Sequence, residues 1–272
     1  MAAQRYIDMN IHTDNSHFGK ASPMCLCESA IKKGIRAVTF TDHCDLEKFY
    51  DEDYGNSTMY SYFECMKARV CFRGELLILI GLEFCNPMHN IELSEKVLKR
   101  NKLDYVLGGL HELSEYRNED GDINFFDIDV YEYMTKYFEK LIGIAKWDGC
   151  DALAHLTYPM RFIEGECGID FDYSKISEVT DELLSTMAKN KKALEINTSG
   201  YRLSIGKPTP DENIIRRFKE LGGREITIGS DSHRVVTVGG GIKEGLILAK
   251  KCGFDKITFF ENREKLHIDI RL

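Results

Sequence analysis

Seven short apolar runs of the sequence, spread between residues 8 and 233, each end on a metal-binding or phosphate-binding type of side chain. They end at or near His12, His43, Glu83, His111, His155, Asn197 and His233. Imidazole nitrogen and carboxylate oxygen are donors that suit Zn, Fe and Mn. A single histidine is usually structural, but that explanation does not place five of the eight histidines at the ends of apolar runs. The pattern therefore predicts a multinuclear metal hydrolase.

The spacing of residues within these runs also suits metal ligands. Glu83 ends an apolar run in which an unpaired carboxylate would be costly, so a bridging metal ligand is its natural role. Asp231 and His233 alternate along a strand end, as do Asn10 and His12, so the side chains of each pair point the same way. No cysteine ends a run, which argues against a structural zinc–thiolate site.

Short apolar runs alternate along the chain with longer segments, several of which carry helix start or stop signals. The predicted strands are 6–11, 36–41, 76–82, 104–110, 151–155, 193–197 and 225–229, with a weaker one at 256–260. The predicted helices are 23–33, 57–72, 91–100, 128–146, 175–190, 210–221 and 240–251. Strands that are this short and apolar are typical of parallel strands buried on both faces.

The distribution of the candidate ligands decides between the two kinds of sheet that alternating strands and helices can form. An open sheet gathers its site at one switch point, which only a few strands serve. Here the ligands come from strands along the whole chain, and this requires the C-terminal rim of a closed barrel. We therefore predict a single α/β barrel domain over residues 1–272.

Composition disfavours several classes of partner. The net charge is −8 and no long basic block occurs, so bulk electrostatics do not favour nucleic acid. No run of about 18 apolar residues is present, so no membrane span is expected. The nine cysteines are odd in number and irregularly spaced. Since the sequence opens without a signal-peptide pattern, we expect reduced thiols and a cytoplasmic location.

The motifs, in this order, resemble those of the polymerase-and-histidinol-phosphatase (PHP) family, and more narrowly its histidinol-phosphate phosphatases. The resemblance covers residues from about 5 to 240. It implies a distorted, TIM-like (β/α)7 barrel, two or three divalent metal ions (Zn, Fe or Mn) at the C-terminal ends of the strands, and a small phosphorylated substrate. In that family's pattern one metal is held by His12, Glu83 and Asp231, a second by Glu83, His111 and His155, and a third by His43 and His233.

Two arginines point to the histidinol-phosphate branch of the family. Arg161 follows the fifth predicted strand and Arg202 follows the sixth, and both resemble the phosphate-binding arginines of that branch. A guanidinium group can bind phosphate through two hydrogen bonds. For either arginine taken alone, a surface salt bridge is the alternative role.

The sequence departs from the family's pattern at two positions. The first motif normally reads Asp-x-His-x-His, but Asn10 replaces the first of its histidines. An amide oxygen can coordinate a metal, although it is a weaker donor for zinc than imidazole. The family often has His or Asp six residues after the second histidine, where this chain has Phe18. His17, beside it, could supply the missing ligand or could be exposed to solvent.

The resemblance implies metal-assisted hydrolysis of a phosphomonoester, with histidinol phosphate as the expected substrate. Arg161 and Arg202 would stabilise negative charge that develops on the phosphate oxygens. His43 would contact the substrate, and either His43 or His233 could protonate the leaving alcohol. Asp42 could orient His43 through a hydrogen bond, or could simply lie at the strand end.

Other functions stay open at this point. A general PHP phosphoesterase would act on nucleotides or phosphodiesters, although the acidic charge and the two arginines disfavour it. The departures at Asn10 and Phe18 could instead have left a barrel with a weakened metal site. A metal-dependent amidohydrolase is a third alternative, but its usual first motif needs both histidines. The acidic loop 44–56 could attract a cationic substrate amine or could be merely solvated.

Overall fold

A parallel sheet that curls into a distorted barrel forms the centre of the computed structural model, which describes residues 6–272. The barrel strands are β1 (Tyr6–Ile11), β2 (Ile35–Phe40), β3 (His43–Asp45), β4 (Leu77–Cys85), β5 (Tyr105–Gly109), β6 (Ala152–Leu153), β7 (Ala193–Asn197) and β8 (Ile226–Gly229). Strand β2 pairs with the first half of β4, and β3 pairs with its second half. Together β2 and β3 fill one position, so the barrel has the seven positions that were predicted.

Helices follow the barrel strands and cover them from outside. They are α1 (Pro23–Lys32), α2 (Tyr54–Cys71), α3 (Ile91–Leu98), α4 (Val130–Lys146), α5 (Met160–Ile163), α6 (Ser177–Lys189), α7 (Glu212–Glu220) and α8 (Ile242–Lys251). Asp129 and Asp211 accept hydrogen bonds from the first amides of α4 and α7, which fixes where these helices begin. None of the helices in residues 6–272 is long and apolar enough to cross a membrane.

Strand β1 and the segment after β8 close the barrel through a few specific hydrogen bonds. Asp231 N donates to Asn10 O over 2.9 Å, and His12 N donates to Ser232 O over 2.8 Å. Beneath them, the fully buried Asp8 accepts from Ser230 N at 2.8 Å, Ser230 Oγ at 2.6 Å and Gly239 N at 2.9 Å. One carboxylate therefore holds both ends of the sheet together, directly below the predicted ligands.

The weakly predicted strand at 256–260 exists, but it lies outside the barrel. It belongs to β9 (Lys256–Glu261), which pairs in antiparallel fashion with the unpredicted β10 (Glu264–Asp269). The turn of this hairpin is bound to Asp104, which precedes β5 and accepts from Asn262 N and Arg263 N. Phe260 stacks on Tyr105 with ring centroids 5.1 Å apart. The hairpin thus covers the N-terminal end of the barrel, away from the predicted site.

We expect Asp8→Ala to lower the free energy of unfolding by about 3 kcal/mol, because it would leave the buried donors of Ser230 and Gly239 without an acceptor. Urea unfolding followed by circular dichroism would measure this change. Asp255→Ala is the control, because that carboxylate is 83% exposed and pairs with Lys250 on the surface; it should cost less than about 0.5 kcal/mol. Equal effects of the two substitutions would contradict the closing role of Asp8.

Candidate metal centre

Glu83, near the end of β4, lies at the centre of the predicted ligands. Its Oε1 is 2.9 Å from His155 Nε2 and 3.4 Å from His111 Nε2. The same oxygen is 3.7 Å from His43 Nε2, and Oε2 is 3.7 Å from His12 Nε2. The carboxylate is 1% exposed. Its two oxygens therefore face imidazoles from four different strand ends, which is the arrangement that a bridging metal ligand needs.

A second group of ligands lies around His12. The His12 ring is stacked between His43 and His233, with centroids 4.2 Å from each. Its Nε2 is 3.4 Å from Asp231 Oδ1. One nitrogen from each of the three imidazoles lies within 4.8 Å of the others. Histidines that the sequence places far apart therefore meet at one rim, as their positions at strand ends predict.

The donors fit divalent metal ions. His12 Nε2 is buried and makes no hydrogen bond, although two carboxylates lie nearby. Burial lowers the pKa of His43 well below its usual value, and the charge of His12 adds to this effect. Burial and the charge of His12 likewise lower the pKa of His233 to about 4. Neutral imidazole is the form that binds metals, so the lowered pKa values favour ligation by His43 and His233.

The two acidic ligands are held as carboxylates. Burial alone would raise the pKa of Glu83, but the histidines around it, His155 and His111 foremost, lower it well below its usual value. Burial also opposes ionisation of Asp231, and His12 and the charge of Arg161 reverse that effect. A charged oxygen donor is what a hard or borderline cation requires. Glu83 and Asp231 therefore supply the negative charge of the centre.

Asn10 has a role different from the predicted one of metal ligand. Its Nδ2 donates to Glu195 Oε1 at 2.9 Å and to Glu83 Oε2 at 3.2 Å. Its Oδ1 accepts from Thr41 Oγ1 at 2.7 Å. The amide thus turns its hydrogens, which cannot bind a metal, towards the carboxylates. The amide takes this orientation because two neighbouring carboxylates need a donor between them more than they need another acceptor.

Sequence reasoning missed the role of Glu195, which ends an apolar run but was not counted among the site residues. It accepts from Asn10, from His155 N at 2.8 Å and from Asn197 Nδ2 at 3.2 Å. Asn197 Nδ2 also lies 3.3 Å from Asp231 Oδ2. Burial and the charge of Glu83 raise the pKa of Glu195 to about 8. Its position two residues before Asn197, on the same face of β7, is the signal that could have revealed it.

Two of the ligands adopt a backbone conformation that non-glycine residues seldom use. His155 has φ of 26° and Asp231 has φ of 51°. Both positions are stabilised from the neighbouring strand, His155 N by the Glu195 carboxylate and Asp231 N by the Asn10 carbonyl. Local strain of this kind is typical of functional sites. The hydrogen bonds behind the site therefore determine how these two side chains enter it.

Ser16, and not Asp42, is the partner of His43. Ser16 Oγ lies 2.8 Å from His43 Nδ1, so the imidazole presents Nε2 to Glu83. Asp42 instead accepts from Thr13 N at 2.5 Å, Thr13 Oγ1 at 2.6 Å and Ser61 Oγ at 2.5 Å. The proposed hydrogen bond from Asp42 to His43 is therefore wrong, because three donors outside the site already occupy this carboxylate.

His17 lies at the rim rather than among the ligands. Its side chain is 52% exposed, and Nδ1 is 3.4 Å from Glu52 Oε2. The ring meets Phe18 edge-on, with centroids 4.4 Å apart. Within residues 6–272, neither group of converging metal donors includes it. The structure therefore does not bring His17 to the third metal position, and the exposed role that was its alternative describes it better.

The two predicted phosphate-binding arginines occupy unequal positions. Arg161 is largely buried; its Nη2 donates to Asp231 Oδ2 at 2.8 Å and to Ser199 Oγ at 2.6 Å. Its Nε is buried without a hydrogen-bond partner. Arg202 donates to the carbonyls of Ser230, at 2.6 Å, and Gly240, at 3.1 Å. Arg161 is thus part of the centre, whereas Arg202 is held beside it.

A cavity of about 650 Å³ opens over the ligand cluster. Its walls include His43, His111, Asp231 and His233 from that cluster. Carboxylates form much of the remaining polar wall: Asp45, Glu52, Glu112, Asp122 and Glu166. The cavity also reaches Cys85, because β4 continues two residues beyond Glu83. The expectation that no cysteine ends a strand was therefore wrong for this strand.

Comparison with known proteins gives consistent matches along the chain. A family model for the PHP domain matches residues 8–199. A protein of Thermotoga maritima named "Probable histidinol-phosphatase" is 30% identical over 252 residues, which are 93% of this chain and 94% of that protein. The histidinol-phosphatase of Lactococcus lactis subsp. lactis is 25% identical over 257 residues, again 93% of this chain and 94% of the relative.

A solved structure has the same fold. It is the crystal structure of histidinol phosphate phosphatase from Lactococcus lactis, complexed with zinc, L-histidinol and phosphate. The TM-score is 0.77 at 21% identity, and the match covers 96% of this chain and 99% of that one. The likeness confirms the predicted barrel.

We expect Asn10→Asp to lower the free energy of unfolding of the metal-free protein by about 2 kcal/mol, because a third carboxylate would replace a donor shared by Glu83 and Glu195. Saturating zinc should stabilise this variant more than it stabilises the wild type, because the new carboxylate can bind the ion. Thermal unfolding with and without zinc would measure both effects.

Asn15→Asp is the matched control, because Asn15 also donates to a carboxylate, Glu64 at 3.0 Å, but on the surface. Its effect should stay within about 0.5 kcal/mol. If Asn10→Asp behaves like Asn15→Asp in the metal-free protein, Asn10 does not separate the two buried carboxylates.

Proposed function

Because the chain belongs to the PHP domain family, we propose that it is a metal-dependent phosphomonoesterase that hydrolyses histidinol phosphate to histidinol and phosphate. One observation carries the proposal: the cavity combines the imidazole–carboxylate cluster with a wall of further carboxylates. The first suits a phosphate bound through metal ions, and the second suits the cationic amine of histidinol. The names of the relatives from Thermotoga maritima and Lactococcus lactis support the same substrate.

Two or three divalent ions belong to this proposal, with zinc favoured by the ion in the Lactococcus lactis structure. Bound at this centre, they would supply Lewis acidity and activate water at neutral pH. The residues that would hold them are His12, His43, Glu83, His111, His155, Asp231 and His233. Asn10 is left out because its amide hydrogens face the carboxylates.

Arg161 would bind and orient the phosphate. Its guanidinium group lies 4.3 Å above the Tyr158 ring, and Asp231 and Ser199 hold one of its nitrogens. The plane of the group is therefore fixed before a substrate arrives, and Nε remains as an unused donor. A preorganised cation is effective at stabilising charge that develops on phosphate oxygens. Arg202, whose Nη2 donates to the Ser230 carbonyl, would add positive charge beside the same phosphate oxygens.

His43 and His233 line the cavity and would contact the phosphate group from the side of the candidate metal ligands. Each has its Nδ1 engaged, His43 with Ser16 Oγ and His233 with the Asp231 carbonyl at 3.2 Å. Each therefore has Nε2 available at the cavity. The low pKa of His233, about 4 because of burial and His12, favours a ligand over a proton donor at neutral pH. Protonation of the leaving alcohol by either histidine is thus the weaker alternative.

A cytoplasmic location is part of the proposal. All nine cysteines are free thiols, and six of them are buried: Cys27, Cys44, Cys65, Cys85, Cys150 and Cys252. Reduced thiols are the normal state in the cytosol. A phosphorylated amino alcohol is charged and does not cross membranes unaided. We therefore expect it to be hydrolysed in the compartment where it is made.

The direct test is phosphate release from histidinol phosphate, measured beside p-nitrophenyl phosphate, a nucleoside monophosphate and a phosphodiester. Metal content would be determined on the same sample. Selective turnover of histidinol phosphate would support the proposal. Preferential turnover of nucleotides or diesters would overturn it in favour of a general phosphoesterase, and bound metal without any turnover would indicate a weakened site.

The cavity carboxylates should contribute to selectivity. Asp45 and Glu166 line the cavity and form no ion pair among residues 6–272, so they can face a cationic substrate. We expect Asp45→Asn combined with Glu166→Gln to raise KM for histidinol phosphate about tenfold, because two favourable charge interactions are lost. Steady-state kinetics would measure this.

The neutral leaving group of p-nitrophenyl phosphate provides the internal control, and its KM should change less than about twofold in the double variant. Glu178→Gln, on the outer helix α6, controls for the change in net charge. An equal rise in KM for both substrates would show that the carboxylates do not recognise the amine.

Removal of metal should abolish activity. After dialysis against EDTA, we expect phosphate release to fall at least about a hundredfold, because Arg161 and the histidines alone cannot activate water. Zinc added back should restore the rate, and protein dialysed without chelator is the control. A chelated sample that keeps its activity while elemental analysis finds no metal would contradict metal dependence.

A further inference from the structure

Cys85, the last residue of β4, lies beside the candidate metal ligands. It follows Glu83 by two residues, so both side chains point to the same side of the strand. The thiol is buried, 4% exposed, and it lines the cavity. Its Sγ and ligand atoms of His43, Glu83 and His111 all lie within 4.8 Å of one another. Four donors of three chemical kinds thus surround one position.

We infer that Cys85 Sγ is a further ligand of the metal ion that Glu83, His43 and His111 surround. This inference rests on the proposed function, because it adds a donor to the same centre. When the ion binds, the thiol proton would pass to solvent water and the sulfur would bind as thiolate. No oxidant or reductant is needed.

The surroundings of the thiol support this role. Cys150 and Cys65 are also buried, but Cys150 Sγ donates to Ile144 O at 3.6 Å and Cys65 Sγ contacts Ser61 Oγ at 4.0 Å. In the part of the chain that the structure describes, no such partner is found for Cys85 Sγ. Its Sγ lies within 4.8 Å of ligand atoms of His43, Glu83 and His111. A buried thiol this close to three other donors is placed for coordination.

A thiolate would change which metal the centre prefers. Imidazole and carboxylate ligands accept Zn, Mn and Fe, whereas soft sulfur ligands select zinc over manganese. A centre with nitrogen, oxygen and sulfur donors should therefore hold zinc, or cobalt in its place, more tightly than manganese. Removing the sulfur should shift the preference towards manganese.

Cys44 provides a matched control on the adjacent strand. It is fully buried and stands next to His43, as Cys85 stands near Glu83. However, it belongs to the apolar core and does not line the cavity. The two thiols are similar in burial and in their distance along the chain from a candidate ligand. They differ in whether they face the other metal donors.

The first measurement is X-ray absorption at the zinc edge of the zinc-loaded wild-type protein, which needs no variant to fold. We expect a sulfur scatterer at about 2.3 Å in addition to nitrogen and oxygen at about 2.0–2.1 Å. The second is the optical spectrum of the cobalt-loaded protein. A thiolate-to-cobalt charge-transfer band should appear in the wild type and in Cys44→Ser and be absent in Cys85→Ser.

The outcomes separate this inference from the proposed function. A sulfur scatterer together with a band lost only in Cys85→Ser supports the inference. Bound zinc and cobalt with neither signal overturn it but leave the metal-dependent phosphatase intact. If Cys44→Ser also abolishes the band, the band cannot be assigned to Cys85, and the inference is overturned. If the wild type binds neither ion, both the inference and the proposed metal centre fail.

Discussion

Three buried carboxylates inside one barrel are the constraint on which the rest of the site depends. Glu83, Glu195 and Asp231 are each less than 10% exposed, and like charges in such an interior repel strongly. Two amides separate them: Asn10 donates to Glu83 and Glu195, and Asn197 donates to Glu195 and Asp231. Burial and the charge of Glu83 raise the pKa of Glu195, which lies in the middle, to about 8. The pKa values of the outer two carboxylates, Glu83 and Asp231, are lowered instead, and these are the two that face the histidines.

This alternation of carboxylate and amide links the architecture of the barrel to its chemistry. Its members come from β1, β4, β7 and the segment after β8, so the hydrogen bonds run across the barrel interior rather than along one strand. The same groups support the left-handed backbone of His155 and Asp231, which turns these ligands towards the centre. Asp8, one layer below, holds the two edges of the sheet together. The candidate ligands are therefore positioned by buried polar groups outside the candidate ligand set.

Much of the fold, and the convergence of most of the candidate ligands on one rim, could be predicted for identifiable reasons. His12, Glu83 and His155 end apolar runs, and the parallel strands of a barrel bring such ends to one rim. The orientation of the Asn10 amide could not be predicted, because it depends on Glu195, which is 185 residues away in sequence. Cys85 was missed because β4 extends beyond its predicted end, and α5 because four residues are too few to show a helical period. The pairing of β9 with β10 could not be predicted, because the alternation of strands and helices gives no signal for an antiparallel hairpin.

The exchange of imidazole for amide at position 10 alters the balance between ligation and stability. An imidazole that binds a metal through one nitrogen has a single N–H left, and it can serve one carboxylate. The Asn10 amide has two N–H groups and serves both Glu83 and Glu195. In this orientation two buried carboxylates share a neutral donor that is present whether or not metal is bound. Because Thr41 holds the amide oxygen, turning it towards a metal would break three hydrogen bonds at once. Asparagine at this position therefore favours a site whose protein part is stable before any metal binds.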